Sequence, residues 1–177
     1  MATQDVAAAL QRVESVLLRR PSAGLHDDAA ATAHWEGGTR VIARHDNGKQ
    51  VPTDMPAELG GGGDQVTPGW LLRAGLASCT ATCIAMAAAA EGIELQALEV
   101  QARSRSDTRG LLGLADADGE PVYAGPRDMQ MQVRICADGV SEQRLRALIE
   151  KSYRSSPVAC ALQDAVPVTL RIEFGVG

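Results

Sequence analysis

Thr67-Pro68-Gly69-Trp70-Leu71-Leu72-Arg73-Ala74-Gly75-Leu76-Ala77-Ser78-Cys79-Thr80-Ala81-Thr82-Cys83 is the stretch on which the reading of the fold turns. Thr67 supplies a hydroxyl at an N-cap, and Pro68 occupies the first helical position, where a missing N–H costs nothing. The helix so started is expected to run to about Glu91 and stop at Gly92, which suits a left-handed C′ position. Leu71, Leu72, Ala74, Leu76, Ile84 and Met86 lie all round it. A helix apolar on every face belongs at the centre of a fold. Gly75, Ala77, Ser78, Ala81 and Ala85 let a neighbour come close.

Before this helix lies a β-meander. Ala31–Glu36 and Thr39–Arg44 flank Gly37-Gly38, a two-residue hairpin signal, and Asp46-Asn47-Gly48 turns the chain into Lys49–Thr53. Pro52 and Pro56 place its end at an edge. Gly60-Gly61-Gly62-Gly63 reads as a flexible linker; it lacks the Gly-Lys-Ser/Thr ending of a nucleotide-binding loop.

After the helix, Leu98–Ser104 alternates as a strand, and Asp116-Ala117-Asp118-Gly119 marks a hairpin tip. Met129, Met131, Val133 and Ile135 alternate on the next strand. Ser141 caps a helix carrying Leu145, Leu148, Ile149 and Tyr153. Ser155-Ser156-Pro157 breaks that helix, and Val158–Leu162 restarts it. Val168, Leu170, Ile172 and Phe174 predict a last strand. At the other end, Val6, Leu10, Val13 and Leu17 predict an amphipathic helix over about 5–20, closed by Pro21. The expected organisation is a helical extension over 1–24 and one domain over 25–177, of class α+β.

Composition limits the function. The 177 residues suffice for one well-cored domain, and aromatics are only 3 %, so the core leans on Ala, Val, Leu, Ile and Met. A net charge of −5 argues against nucleic acid as a partner. No apolar run reaches the length of a membrane span: Ile84–Ala90 is too short and its helix carries Arg73, so no span is expected. Asp5 and Glu14 interrupt any signal-peptide pattern, and the expected compartment is the cytoplasm. The four cysteines then read as free thiols. His26, His34 and His45 have no metal-ligand spacing with them, and no cofactor is expected.

Ala77-Ser78-Cys79, Ser156-Pro157-Val158, Ala161-Leu162 and Val166-Pro167-Val168, in this order behind a meander and a Gly-rich turn, resemble the superfamily of osmotically inducible protein C and the organic hydroperoxide resistance proteins. The likeness spans about residues 31–175. It implies antiparallel sheets packed around two long central helices in an intertwined homodimer, with sites at the subunit interface. It also implies reduction of organic hydroperoxides by a thiolate at Cys79, resolution by a second thiol, and recycling by an external dithiol.

The sequence departs from the family pattern at Ser156, where the resolving cysteine is expected, and at Gly69, where the hydroperoxide resistance branch carries a Glu. Cys160 or Cys83 is then the candidate resolver, and Arg40 or Arg73 the candidate activating cation. Trp70, Cys83, Met86, Tyr153 and Ser156 are the candidate substrate-binding residues. The alternative is a protein that binds a small apolar molecule in a cleft lined by Trp70, Met86 and Tyr153, without turnover.

Overall fold

The computed structural model describes residues 3–175. Helix α1 (Thr3–Arg19) precedes a meander of β1 (Ala31–Gly37), β2 (Arg40–His45) and β3 (Gln50–Thr53). Helix α2 (Pro68–Ala90), strand β4 (Leu95–Arg105), a one-turn helix α3 (Thr108–Leu111) and strand β5 (Arg127–Ala137) follow. Helices α4 (Glu142–Arg154) and α5 (Pro157–Gln163) come last. The class is α+β, with two antiparallel sheets, β1-β2-β3 and β4-β5.

Helix α2 forms where its caps dictate. The Thr67 Oγ1 accepts the Trp70 N–H at 3.2 Å, and Gly92 turns the chain at φ +66°. The 23 residues are long and apolar enough to cross a bilayer by composition alone. The expectation that no apolar run reaches the length of a span is therefore corrected: Arg73 near its start does not keep this helix from meeting that length and composition. Here α2 is a core helix, packed by α1, β4, α4 and α5. Ile84 and Ala88 meet Ile93, Ala137, Leu145 and Leu148 in the buried cluster. The inward face of the β4–β5 ladder closes it, with Leu98 opposite Ile135 and Val100 opposite Val133.

Two further expectations are corrected. The Gly60–Gly63 run is not a loose linker: Gly61 lies so close to the chain that a Cβ there would sit 1.8 Å from the Met55 carbonyl oxygen. The loop wraps the buried carboxylate of Asp54, which accepts from Thr39 Oγ1 (2.6 Å), Met55 N (2.8 Å), Gly62 N (2.9 Å) and Arg40 Nη2 (3.2 Å). The anion in this glycine cradle is the protein's own.

The second correction concerns the last strand. Val168, Leu170, Ile172 and Phe174 alternate as a strand should, yet they lie outside both sheets, 92 %, 81 %, 67 % and 97 % exposed. The physical reason is that alternation sets only the faces of a strand. A strand also needs a hydrogen-bonded neighbour, and no described strand of this chain pairs with the segment.

Candidate functional site

Cys79 lies midway along α2, on the stripe Leu72, Leu76, Cys79, Cys83 that helical periodicity aligns. Ser156 and Pro157 turn the chain from α4 into α5, and this turn sets the start of α5 against Cys79. The Ser156 hydroxyl donates to Cys79 Sγ at 3.3 Å. Ser156 is wholly buried, and its Oγ is also 3.4 Å from Thr80 Oγ1. With the Ser156 proton directed at sulfur, Thr80 is the donor to Ser156, so two hydroxyls form a chain that ends on Cys79.

The Val158 N–H and the Cys83 thiol add two more donors. Burial pushes the Cys79 thiol up; the Ser156 hydroxyl, the Val158 N–H and the Cys83 thiol outweigh it, and the net shift is down. Cys83 shifts up, first by burial, then by the charge of Cys79 and the proton it donates there. The pair is thus polarised: Cys79 gives up its proton more readily than an ordinary thiol, and Cys83 holds its own more tightly.

Cys83 Sγ also makes a long 3.9 Å contact to the Ser155 carbonyl, and Cys160 Sγ donates to the Arg154 carbonyl at 3.3 Å. Cys160 is therefore not on Cys79; it faces the same α4–α5 turn as Cys83. Cys136, the remaining cysteine, is exposed on β5.

Neither candidate arginine reaches the thiol within the chain. Arg40 binds Asp54 and Asp64. Arg73 Nη1 donates to Ser104 Oγ at 3.3 Å. The histidines do not converge, since strand register sets His34 opposite Ile42 and His45 opposite Ala31.

The proposed cleft residues are also separated. Tyr153 lines an apolar cavity of about 390 Å³ with Leu72, Leu76, Met129, Ala159 and Leu162. Met86 instead lines a groove of about 720 Å³ beneath α1, with Leu10, Val13 and Leu17. Trp70 is in neither, and stands half-exposed on the first turn of α2. Two residues that line the Tyr153 cavity neighbour the thiol site along the chain: Leu76 is one turn before Cys79, and Ala159 follows Val158. Its phenol accepts from Gln163 Nε2 at 3.0 Å. Sequence reasoning did not pick out Leu72, Leu76, Met129 and Leu162 as a pocket, because they come from three separate elements. It did not pick out Thr80 because a Thr in an Ala-rich helix carries no signal of its own.

Comparison with known proteins agrees with this architecture. The sequence profile described as OsmC-like protein matches residues 61–171, more than half the chain. No curated protein matches. Among solved structures, an OsmC-like protein from Mycoplasma pneumoniae is 21 % identical, covers 78 % of this chain and 89 % of its own, and superposes with a TM-score of 0.64. An organic hydroperoxide resistance protein OsmC from Legionella pneumophila is 22 % identical over 78 % of this chain and 91 % of its own, with a TM-score of 0.54. An organic hydroperoxide resistance protein from Elizabethkingia anophelis, with thiocyanate bound, gives 21 %, 78 %, 90 % and 0.56. The shared fold, the matched profile and the placement of Cys79 against Ser156-Pro157-Val158 lead to one assignment: this chain belongs to the OsmC-like protein family.

Proposed function

We propose that this protein is a thiol-dependent organic hydroperoxide reductase acting through Cys79. The observation that carries the reading is the trio of donors on Cys79 Sγ, which favours the thiolate at a half-buried position. The thiolate attacks the distal oxygen of the hydroperoxide. An S–O bond forms, the O–O bond breaks, and the alkoxide takes a proton and leaves as the alcohol. The apolar cavity beside Tyr153 suits the organic part of such a substrate. Two of the solved relatives carry hydroperoxide resistance in their names, which is consistent with this activity. An external dithiol of the cytoplasm returns the enzyme to its reduced state.

The reading includes a homodimer. Three surfaces support it. Among the described residues, the strands of the meander pack chiefly on one another. Trp70, Leu72 and Met86 of the central helix are exposed. The alternating segment that ends at Phe174 has an apolar face and no sheet. A second copy supplies all three partners, and a partner arginine in place of the two that are occupied here.

The test is consumption of cumene hydroperoxide with dithiothreitol as reductant. The wild type should turn over and Cys79→Ser should not; equal rates would sink the reading. One observation favours the alternative, binding without turnover: Ser156 holds the place of a resolving thiol. In that case a thiol reagent would titrate Cys79 with an ordinary or raised pKa.

A further inference from the structure

Resting on Cys79 as the peroxide-reactive thiol, we propose that this site resolves its sulfenic acid by a three-thiol relay, in which Cys83 captures Cys79 and Cys160 then captures Cys83. The second thiol of the family pattern is a hydroxyl here, Ser156, and a hydroxyl cannot close a disulfide. Three cysteines nevertheless surround one helical turn and one interhelical turn. Cys79 and Cys83 are four residues apart on α2, with α-carbons about 6 Å apart, inside the disulfide range, and β-carbons about 5–6 Å apart, outside the ~3.5–4.5 Å of a relaxed disulfide, so the bond closes only as α2 bends locally. Cys83 and Cys160 reach the consecutive carbonyls of Ser155 and Arg154. Cys83 is thus the common neighbour of the other two.

The first step makes Cys79–SOH. The Cys83 sulfur then attacks the Cys79 sulfur; an S–S bond forms, the S–O bond breaks, and hydroxide leaves with the Cys83 proton as water. A bond between i and i+4 of a continuous helix is strained, and strained disulfides exchange readily. The Cys160 thiolate attacks the Cys83 sulfur and displaces Cys79 as thiolate, while the Cys160 proton passes to solvent. Cys79 is the better leaving group of the pair, because its thiol is the one shifted down. The product disulfide joins α2 to α5 and relieves the strain within α2. It also frees Cys79 for a second peroxide before any reductant acts.

Peptide mapping after one equivalent of cumene hydroperoxide, with the thiols blocked on quenching, tests each arm. Trypsin leaves Cys79 and Cys83 together in Ala74–Arg103, and Cys160 in Ser155–Arg171. The wild type should lose two hydrogens and link these two peptides through Cys83 and Cys160. Cys160→Ser should lose two hydrogens within Ala74–Arg103. Cys83→Ser should hold one oxygen on Cys79, trapped by dimedone, with no link. A direct Cys79–Cys160 link formed in Cys83→Ser at the wild-type rate would overturn the relay, as would a wild type that stops at the sulfenic acid. Cys79 unchanged in Cys83→Ser would instead overturn the peroxidase reading beneath it.

Discussion

The hydroxyl of Ser156 lies 3.3 Å from Cys79 Sγ, across a separation of 77 residues in the chain. The contact exists because Pro157 ends α4 and starts α5 against the centre of α2. It gives Ser156 a role as a hydrogen-bond donor to the thiol.

Removing that donor should weaken the thiolate. Ser156→Ala deletes the largest of the contributions that lower the Cys79 pKa and leaves Thr80 without its partner. A hydrogen bond to a charged group contributes about 1.5–3 kcal/mol. The alkylation rate of Cys79 at neutral pH should therefore fall about 10-fold, with the pH profile of alkylation moved upward. An unmoved profile would mean that the Val158 N–H and Cys83 suffice.

Replacing the donor by a thiol should restore direct resolution. Ser156→Cys sets a sulfur beside Cys79 Sγ. One equivalent of hydroperoxide should then close a disulfide between Cys79 and the introduced thiol, and this bond should still form in the Cys83→Ser, Cys160→Ser background. Intact mass should show two hydrogens lost. Persistence of one added oxygen would show that the turn at Pro157 holds the two β-carbons at a geometry a disulfide does not accept.

Much of this was legible in the sequence. Thr67-Pro68 and Gly92 marked the ends of α2, and the alternation at Leu98, Val100, Val133 and Ile135 marked the sheet face, because caps and periodicity are local signals. The hydroxyl chain through Thr80 was not, since it depends on where α5 docks. Asp54 was not, because one Asp after Pro52-Thr53 looks like any turn residue until Gly61 and Gly62 fold over it. Val168–Phe174 carried a correct local signal for a strand, but pairing is a long-range event, and no described strand of the chain comes to meet it.

The Asp54 cradle should be a stability element. Thr39 holds its carboxyl far below the usual range, aided by the Gly62 N–H, against burial, with Met55 and Arg40 adding to the effect. Asp54→Asn replaces an acceptor of four donors with an amide that presents one oxygen, and Tm should fall by several degrees at neutral pH. The folded pKa lies below the unfolded one, so this contribution is complete above the unfolded value near 3.8 and is lost as pH falls through the folded value. The Tm gap between wild type and variant should accordingly stay level down to about pH 5 and narrow below it. A gap that widens in acid would contradict the sign of the shift.

The exposed face of the C-terminal segment should be an assembly element. Leu170 and Ile172 share it and are 81 % and 67 % exposed in the single chain. Burying such side chains in a partner contributes about 1.5–3 kcal/mol each. On the homodimer and peroxidase activity proposed above, Leu170→Lys with Ile172→Lys should move the protein from dimer to monomer in sedimentation velocity and lower the activity with it. A dimer unchanged by both substitutions would place the interface elsewhere, on the Trp70 and Met86 face of α2.

The cavity lined by Tyr153 should decide which hydroperoxides are reduced. Leu162 of α5 lines it together with Leu72 and Leu76 of α2. Leu162→Glu removes apolar contact worth about 1.5–3 kcal/mol and introduces a charge that resists desolvation. For cumene hydroperoxide, kcat/KM should drop about 10-fold or more, chiefly through KM, because the lost contact is with the organic group and not with the reacting oxygen. Hydrogen peroxide has no such group, and its rate should be unchanged. Equal losses for both oxidants would mean that Leu162 acts by holding α5, and with it the Val158 N–H and Ser156 hydroxyl, against the thiolate.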